Sequence, residues 1–217
     1  MANCNIQLTI DIGCPWCYLG WNRLRRAVAL YRDQASDATA DTVTIVYRYI
    51  SIDPTLPKVP VSQREHLLKK MLPETIDTVH SAMKSMGQKE GIKYNFNSKI
   101  GNTRDIHRLM YLARSKSPEV EERLLSIVFK SHFEEEGDIT CHDTLVSYAG
   151  KAGISGADVR SWLDNGGGEN EFEQDKLESR TTDITSVPHM LINGRSVSKG
   201  VPEVEVLLQM FTKQFSH

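Results

Sequence analysis

Residues 14–17 read Cys-Pro-Trp-Cys, and what stands on either side of them limits the fold more than any other feature of the chain. Upstream, Ile6, Leu8, Ile10 and Ile12 alternate with Gln7, Thr9 and Asp11, the period of a half-buried strand, and Gly13 ends the run. Downstream, Trp21, Leu24, Val28 and Tyr31 recur at helical spacing. They predict a helix over about 15–32, opened by Pro15, where a missing N–H costs nothing. Two thiols therefore stand at a strand-to-helix junction. A Cys-x-x-Cys pair taken alone suits zinc binding and thiol exchange equally, so the rest of the chain has to separate them.

Residues 42–50, rich in β-branched and aromatic side chains, read as a second strand of the same sheet and complete a βαβ unit. Pro54, Pro57 and Pro60 break the pattern, and Ser62 with Glu65 forms a capping-box signature for a helical region. Helix signals then follow over 67–72, 76–86, 104–113, 119–133, 143–152, 158–163 and 172–181, with no convincing strand. Strand character returns at 187–194, Asn193-Gly194 signals a tight hairpin into 195–199, and an amphipathic pattern closes the chain over 203–215. The expected fold class is α/β: a thioredoxin-like fold with a helical domain inserted between the N-terminal βαβ unit and the C-terminal β-hairpin and helix. Residues 1–60 and 183–217 form the thioredoxin-like domain and 61–182 the insertion. In such a fold the junction after the first strand is where a redox Cys-x-x-Cys belongs.

Composition narrows the partners. A formal net charge of −2, with 40% hydrophobic and 25% charged residues, gives no electrostatic reason to expect nucleic acid. No apolar run of about 18 residues and no leader-like start occur, so the expectation is a soluble, unsecreted chain without a membrane partner. Cys4, Cys14, Cys17 and Cys141 are too few and too uneven for a secreted disulfide scaffold, which favours the cytoplasm. Zinc on Cys14 and Cys17 would need two more ligands. Cys4, Cys141 and His142 are the candidates and lack the paired spacing, so no metal is expected. The acidic run Glu134, Glu135 and Glu136 reads as a solvated helix end.

Four separated stretches in order, "CPWCYLG" at 14–20, "GNTRDIHRL" at 101–109, "HFEEEGDIT" at 132–140 and "SVPHMLING" at 186–194, carry a family resemblance. The chain resembles the DsbA-like thioredoxin family, in its cytoplasmic branch related to the FrnE proteins of polyketide gene clusters. The resemblance implies a thiol–disulfide oxidoreductase in which Cys14 attacks, Cys17 resolves and Pro188 is a cis-proline facing them. It implies no tightly bound cofactor, with glutathione as a candidate redox partner. The expected substrate is a disulfide- or thiol-containing protein or small molecule, and the expected state a monomer or homodimer.

Kappa-class glutathione transferases and 2-hydroxychromene-2-carboxylate isomerases look similar but carry serine where this chain has Cys14. The alternative reading is accordingly a glutathione-dependent transferase or isomerase acting on a small aromatic or polyketide substrate. One departure is the turn before the last helix, "SKGVPEVE" in place of the Gly-Ala-Gln type usual in relatives.

The chemistry suits the residues. Only a thiolate attacks a disulfide, and a cysteine just before a helix meets N–H groups and the positive end of the dipole, which favour its charged form. Cys17, one turn further in, is expected to be shielded and to close the disulfide. Pro15 and Trp16 between the thiols influence thiolate stability, and a pair without histidine predicts a less oxidising couple than Pro-His. At Val187-Pro188 the proline offers no N–H, and its neighbour's backbone is expected to pair with an extended substrate, with His189 beside it. Asn102 and Thr103 stand at a helix start, where such residues cap; the resemblance adds contact with a substrate or glutathione group. His107 and Arg104 on that helix read as satisfied or solvated side chains.

Overall fold

The computed structural model describes residues 3–34, 42–182 and 184–215. β1 (Asn3–Ile10) runs into α1 (Pro15–Gln34), and β2 (Thr42–Tyr49) lies parallel to β1, with Leu8 opposite Tyr47. Then follow β3 (Val61–Ser62), α2 (Gln63–Leu67), α3 (Pro73–Lys89), β4 (Lys99–Ile100), α4 (Arg104–Lys116) and α5 (Pro118–Glu134). After them come α6 (His142–Ala152), α7 (Gly156–Asp164), α8 (Glu169–Thr181), β5 (His189–Ile192), β6 (Arg195–Lys199) and α9 (Val204–Phe215). The main sheet has the order β2-β1-β5-β6, with β5 antiparallel to β1 and Thr9 opposite His189.

The hairpin between β5 and β6 turns on Asn193 and Gly194, both at positive φ (49° and 76°), the geometry that a two-residue turn between twisted strands demands. β1 shows the expected alternation: paired on both edges as a central strand, it has Cys4, Ile6, Leu8 and Ile10 buried, while on the other face Asn5 is exposed, Gln7 half-buried and only Thr9, near the turn, is buried.

Two readings are corrected. The helix expected at 67–72 lies earlier, at Gln63–Leu67, because Ser62 accepts the Glu65 N–H at 3.3 Å and starts it there. Pro73 and Pro118 open α3 and α5, where first-turn prolines cost nothing. Two strands, β3 and β4, pair within the stretch read as strand-free; at two residues each they are too short to leave a periodic signal.

The helical body grips the sheet at two places that matter for the site. Tyr18 and Trp21 of α1 meet Phe129 of α5 at centroid distances of 5.1 and 5.5 Å, so the first turns of α1 are fixed by an aromatic cluster. On β2, the buried Asp175 of α8 accepts the Tyr49 N–H at 2.9 Å, the Tyr111 hydroxyl at 2.6 Å and the Arg48 guanidinium at 3.0 Å. Asp175→Ala leaves the Tyr49 N–H and the Tyr111 hydroxyl without their acceptor in the interior. The expected loss is about 3 kcal/mol of unfolding free energy in urea titration, and a loss below about 1 kcal/mol would remove this anchor from the account.

Candidate active site

β1 ends at Ile10, and a tight turn carries the chain into α1. The Cys14 N–H donates to the Asp11 carbonyl at 3.1 Å, and the Cys14 carbonyl accepts from the N–H groups of Cys17 (3.0 Å) and Tyr18 (3.4 Å). Cys14 thus stands immediately before the helix, partly exposed, while Cys17 is fully buried one turn inside. Both are free thiols. The Cys17 thiol is pushed well above its ordinary range, first by burial, then by its contact with Cys14, with the Asp11 charge adding to both. The Asp11 N–H donates to Cys17 Sγ at 3.4 Å and opposes that shift.

Asp11 itself is buried. Its carboxylate accepts Gly13 N–H at 3.0 Å and Ile52 N–H at 2.9 Å, and His107 Nε2 lies 3.3 Å away. Burial works against the charge at a cost of several kcal/mol. His107 and the two N–H donors, each hydrogen bond to a charged group contributing about 1.5–3 kcal/mol, outweigh it and hold the carboxyl below its usual range. Sequence reading passed over Asp11 as a strand residue and His107 as an ordinary helix residue. The available signal was a carboxylate three residues before a thiol.

The other expected site residues come to different places. Val187-Pro188 is a cis peptide. Pro188 is buried against α1, where a Cβ on Gly20 would meet Pro188 Cγ at 3.0 Å; glycine there lets the proline approach. His189 pairs with Thr9 of β1, and its Nε2 lies 3.2 Å from Ser196 Oγ across the hairpin. Asn102 caps through an Asx turn, its Oδ1 accepting the Arg104 N–H at 2.9 Å. Thr103 makes no side-chain cap: it is buried, its hydroxyl 2.9 Å from Ser51 Oγ, its methyl against Gly13. Pro15 and Trp16 border a cavity of about 280 Å³, walled by Ile76, Met83 and Phe96 and rimmed by His66 and Lys70. The acidic run is also less solvated than expected, since Glu134 accepts the Tyr18 hydroxyl at 2.7 Å.

Cys4 lies buried in β1, its thiol pushed up to about 11 by burial. Cys141 is exposed before α6, where the N–H and then the hydroxyl of Thr144 favour its thiolate. Among the described residues no three histidine, cysteine or acidic side chains cluster as metal ligands, and no helix is long and apolar enough to cross a membrane.

A family model for the DSBA-like thioredoxin domain matches residues 5–211. The chain belongs to that family. Its DSBA-like fold is similar to a probable DsbA oxidoreductase from Streptomyces coelicolor, at 27% identity and a TM-score of 0.84, covering 99% of this chain and 91% of that one. A 2-hydroxychromene-2-carboxylate isomerase shares the fold at 15% identity and a TM-score of 0.61, covering 97% and 94%. So does the cytosolic disulfide reductase DsbM from Pseudomonas aeruginosa with GSH, at 12% identity and 0.62, covering 98% and 100%. No curated protein matches this DSBA-like sequence. Family model and neighbours together show a DSBA-like thioredoxin fold over nearly the whole chain.

The unequal burial of the two thiols has a direct readout. In the folded, reduced protein, iodoacetamide is expected to alkylate Cys14 at least about tenfold faster than Cys17, with Cys141 as an exposed reference and equal labelling in urea. Peptide mapping of the labelled thiols checks this, and equal native rates would contradict the burial described.

Proposed function

We propose that this protein is a thiol–disulfide oxidoreductase working through Cys14 and Cys17. The observation that carries the reading is the pair itself: one accessible thiol immediately before a helix, and one buried thiol a turn behind it, in contact with the first. The Cys14 thiolate attacks one sulfur of a substrate disulfide, the substrate S–S bond breaks, and the departing thiolate takes up a proton. Cys17, deprotonated, then attacks Cys14 Sγ, releases the second substrate thiol and leaves the Cys14–Cys17 disulfide. Two electrons have passed from protein to substrate, and the reverse sequence oxidises a dithiol. Pro15, Trp16, Val187 and Pro188 border the attacking sulfur in this reading, with Asn102 and His189 further out; the buried Thr103 supports the loop from beneath.

The substrate class is a disulfide- or thiol-bearing protein or small molecule, with glutathione as the redox partner. Likeness to the DsbM structure with GSH supports that choice, and likeness to a cytosolic reductase supports action in the cytoplasm.

A second reading, a glutathione-dependent transferase or isomerase for a small aromatic molecule, is favoured by the 280 Å³ cavity bordered by Pro15 and Trp16. The two separate on Cys14→Ser. Exchange requires that this variant capture no disulfide substrate, while Cys17→Ser accumulates the mixed disulfide, both read by mass spectrometry against oxidised glutathione. Capture by Cys14→Ser at the native rate would rule exchange out, and glutathione-dependent turnover surviving that substitution would favour the second reading.

A further inference from the structure

Asp11 uses every polar atom it has in the β1–α1 turn. Its carbonyl holds the Cys14 N–H, its own N–H holds Cys17 Sγ, and its carboxylate takes Gly13 and Ile52. The remaining approach to the carboxylate is closed by His107, which reaches in from α4 and is itself fully buried. Tyr49 stacks on the imidazole at 5.8 Å and Phe172 leans on it at 5.7 Å.

The imidazole is asked for two things at one atom. Nε2 lies 3.1 Å from the Ile12 N–H, which needs a lone pair there, and 3.3 Å from Asp11 Oδ1, which needs a proton there. With the ring proton on Nδ1, Nε2 accepts from Ile12 and the carboxylate keeps its full charge; Nδ1 then has no hydrogen-bond partner among the described residues. With a proton on Nε2, the ring donates to Asp11 and the Ile12 N–H goes without. One proton decides how much of the Asp11 charge reaches the buried thiol.

The surrounding ionisable groups do not substitute for it. Tyr49 donates its hydroxyl to Glu121, which Arg114 neutralises, and Tyr111 donates to Asp175, which Arg48 neutralises. His132 of α5 is held below its ordinary range by burial, which disfavours its charged form. On the loop side stand Cys14 and Cys17.

We infer that His107 is a positioning residue for thiol exchange: by donating to Asp11 it draws off the carboxylate's field and so speeds the step in which Cys17 resolves the mixed disulfide. The inference rests on the exchange reading above. In that step the Cys17 proton leaves to solvent, the Cys17 thiolate attacks Cys14 Sγ, the Cys14–substrate S–S bond breaks, and the substrate thiolate departs with the electron pair. The helical segment thereby sets a rate at the sheet's redox turn.

The test follows decay of the mixed disulfide between Cys14 and glutathione, preformed with oxidised glutathione and quenched at intervals across pH. Asp11→Asn removes the charge and keeps acceptor and shape, so decay accelerates; His107→Leu removes the donor, so decay slows. A tenfold change in Cys17 thiolate, offset by the lower nucleophilicity of a more acidic thiol, gives about a threefold change in rate at fixed pH. His107→Gln, which retains an N–H donor, stays near the native rate, and His107→Leu added to Asp11→Asn has no further effect. A merely structural role would slow both single variants, and that result, or unchanged decay in both, overturns the inference while leaving exchange intact. Failure of the native protein to form the mixed disulfide at all would instead overturn the exchange reading. Should His107→Leu not fold, Asp11→Asn decides alone: faster decay supports the inference, and equal or slower decay overturns it.

Discussion

The structure depends most on one buried carboxylate. Removing Asp11 from water costs several kcal/mol, a cost met only because two backbone N–H groups and an imidazole converge on it. Those partners come from the β1–α1 turn, from the chain just after β2 and from α4, three segments far apart in sequence. The carboxylate ties them together. The same residue's backbone holds both cysteines, so the geometry of the thiols and the docking of the helical body are one arrangement.

That arrangement explains why α4 opens as it does. Thr103 and His107, four positions apart, lie on one helical face and reach the turn together, the first against Gly13 and Ser51, the second against Asp11 and Ile12. Farther along the sheet, α8 repeats the device with Asp175, whose carboxylate takes a β2 backbone N–H. Midway along α1, the buried Arg23 bonds Glu90 beyond α3 and the Val201 carbonyl before α9. Buried charges, each satisfied, fix how helices meet strands. The apolar core alone would tolerate small slides between these layers, whereas directed hydrogen bonds to charged groups do not.

Much of this was legible beforehand, and the misses share a cause. The Cys-x-x-Cys turn, α1, the hairpin and the closing helix were readable because each is a local pattern: a period, a cap, a turn dipeptide. β3 and β4 escaped because two residues carry no period, and α2 shifted because its cap outweighed its apolar spacing. His107 looked ordinary in sequence, since a histidine on a helix announces neither its burial nor its partner. Thr103 looked like a cap because it precedes a helix, yet its hydroxyl serves Ser51, far along the chain from any local cue.

The sequence by itself determined the long strands and most of the helices, that two thiols stand at the first strand-to-helix junction, and that a long helical stretch interrupts the sheet-forming segments. These follow from side-chain periodicity and turn chemistry within a dozen residues. Only the tertiary structure decided that Thr103 packs beneath Gly13 beside Ser51, and that Asp11 meets His107 ninety-odd positions away in the chain. Such pairings are settled by packing between distant segments and by the need to satisfy every buried charge, and neither constraint leaves a mark on local spacing.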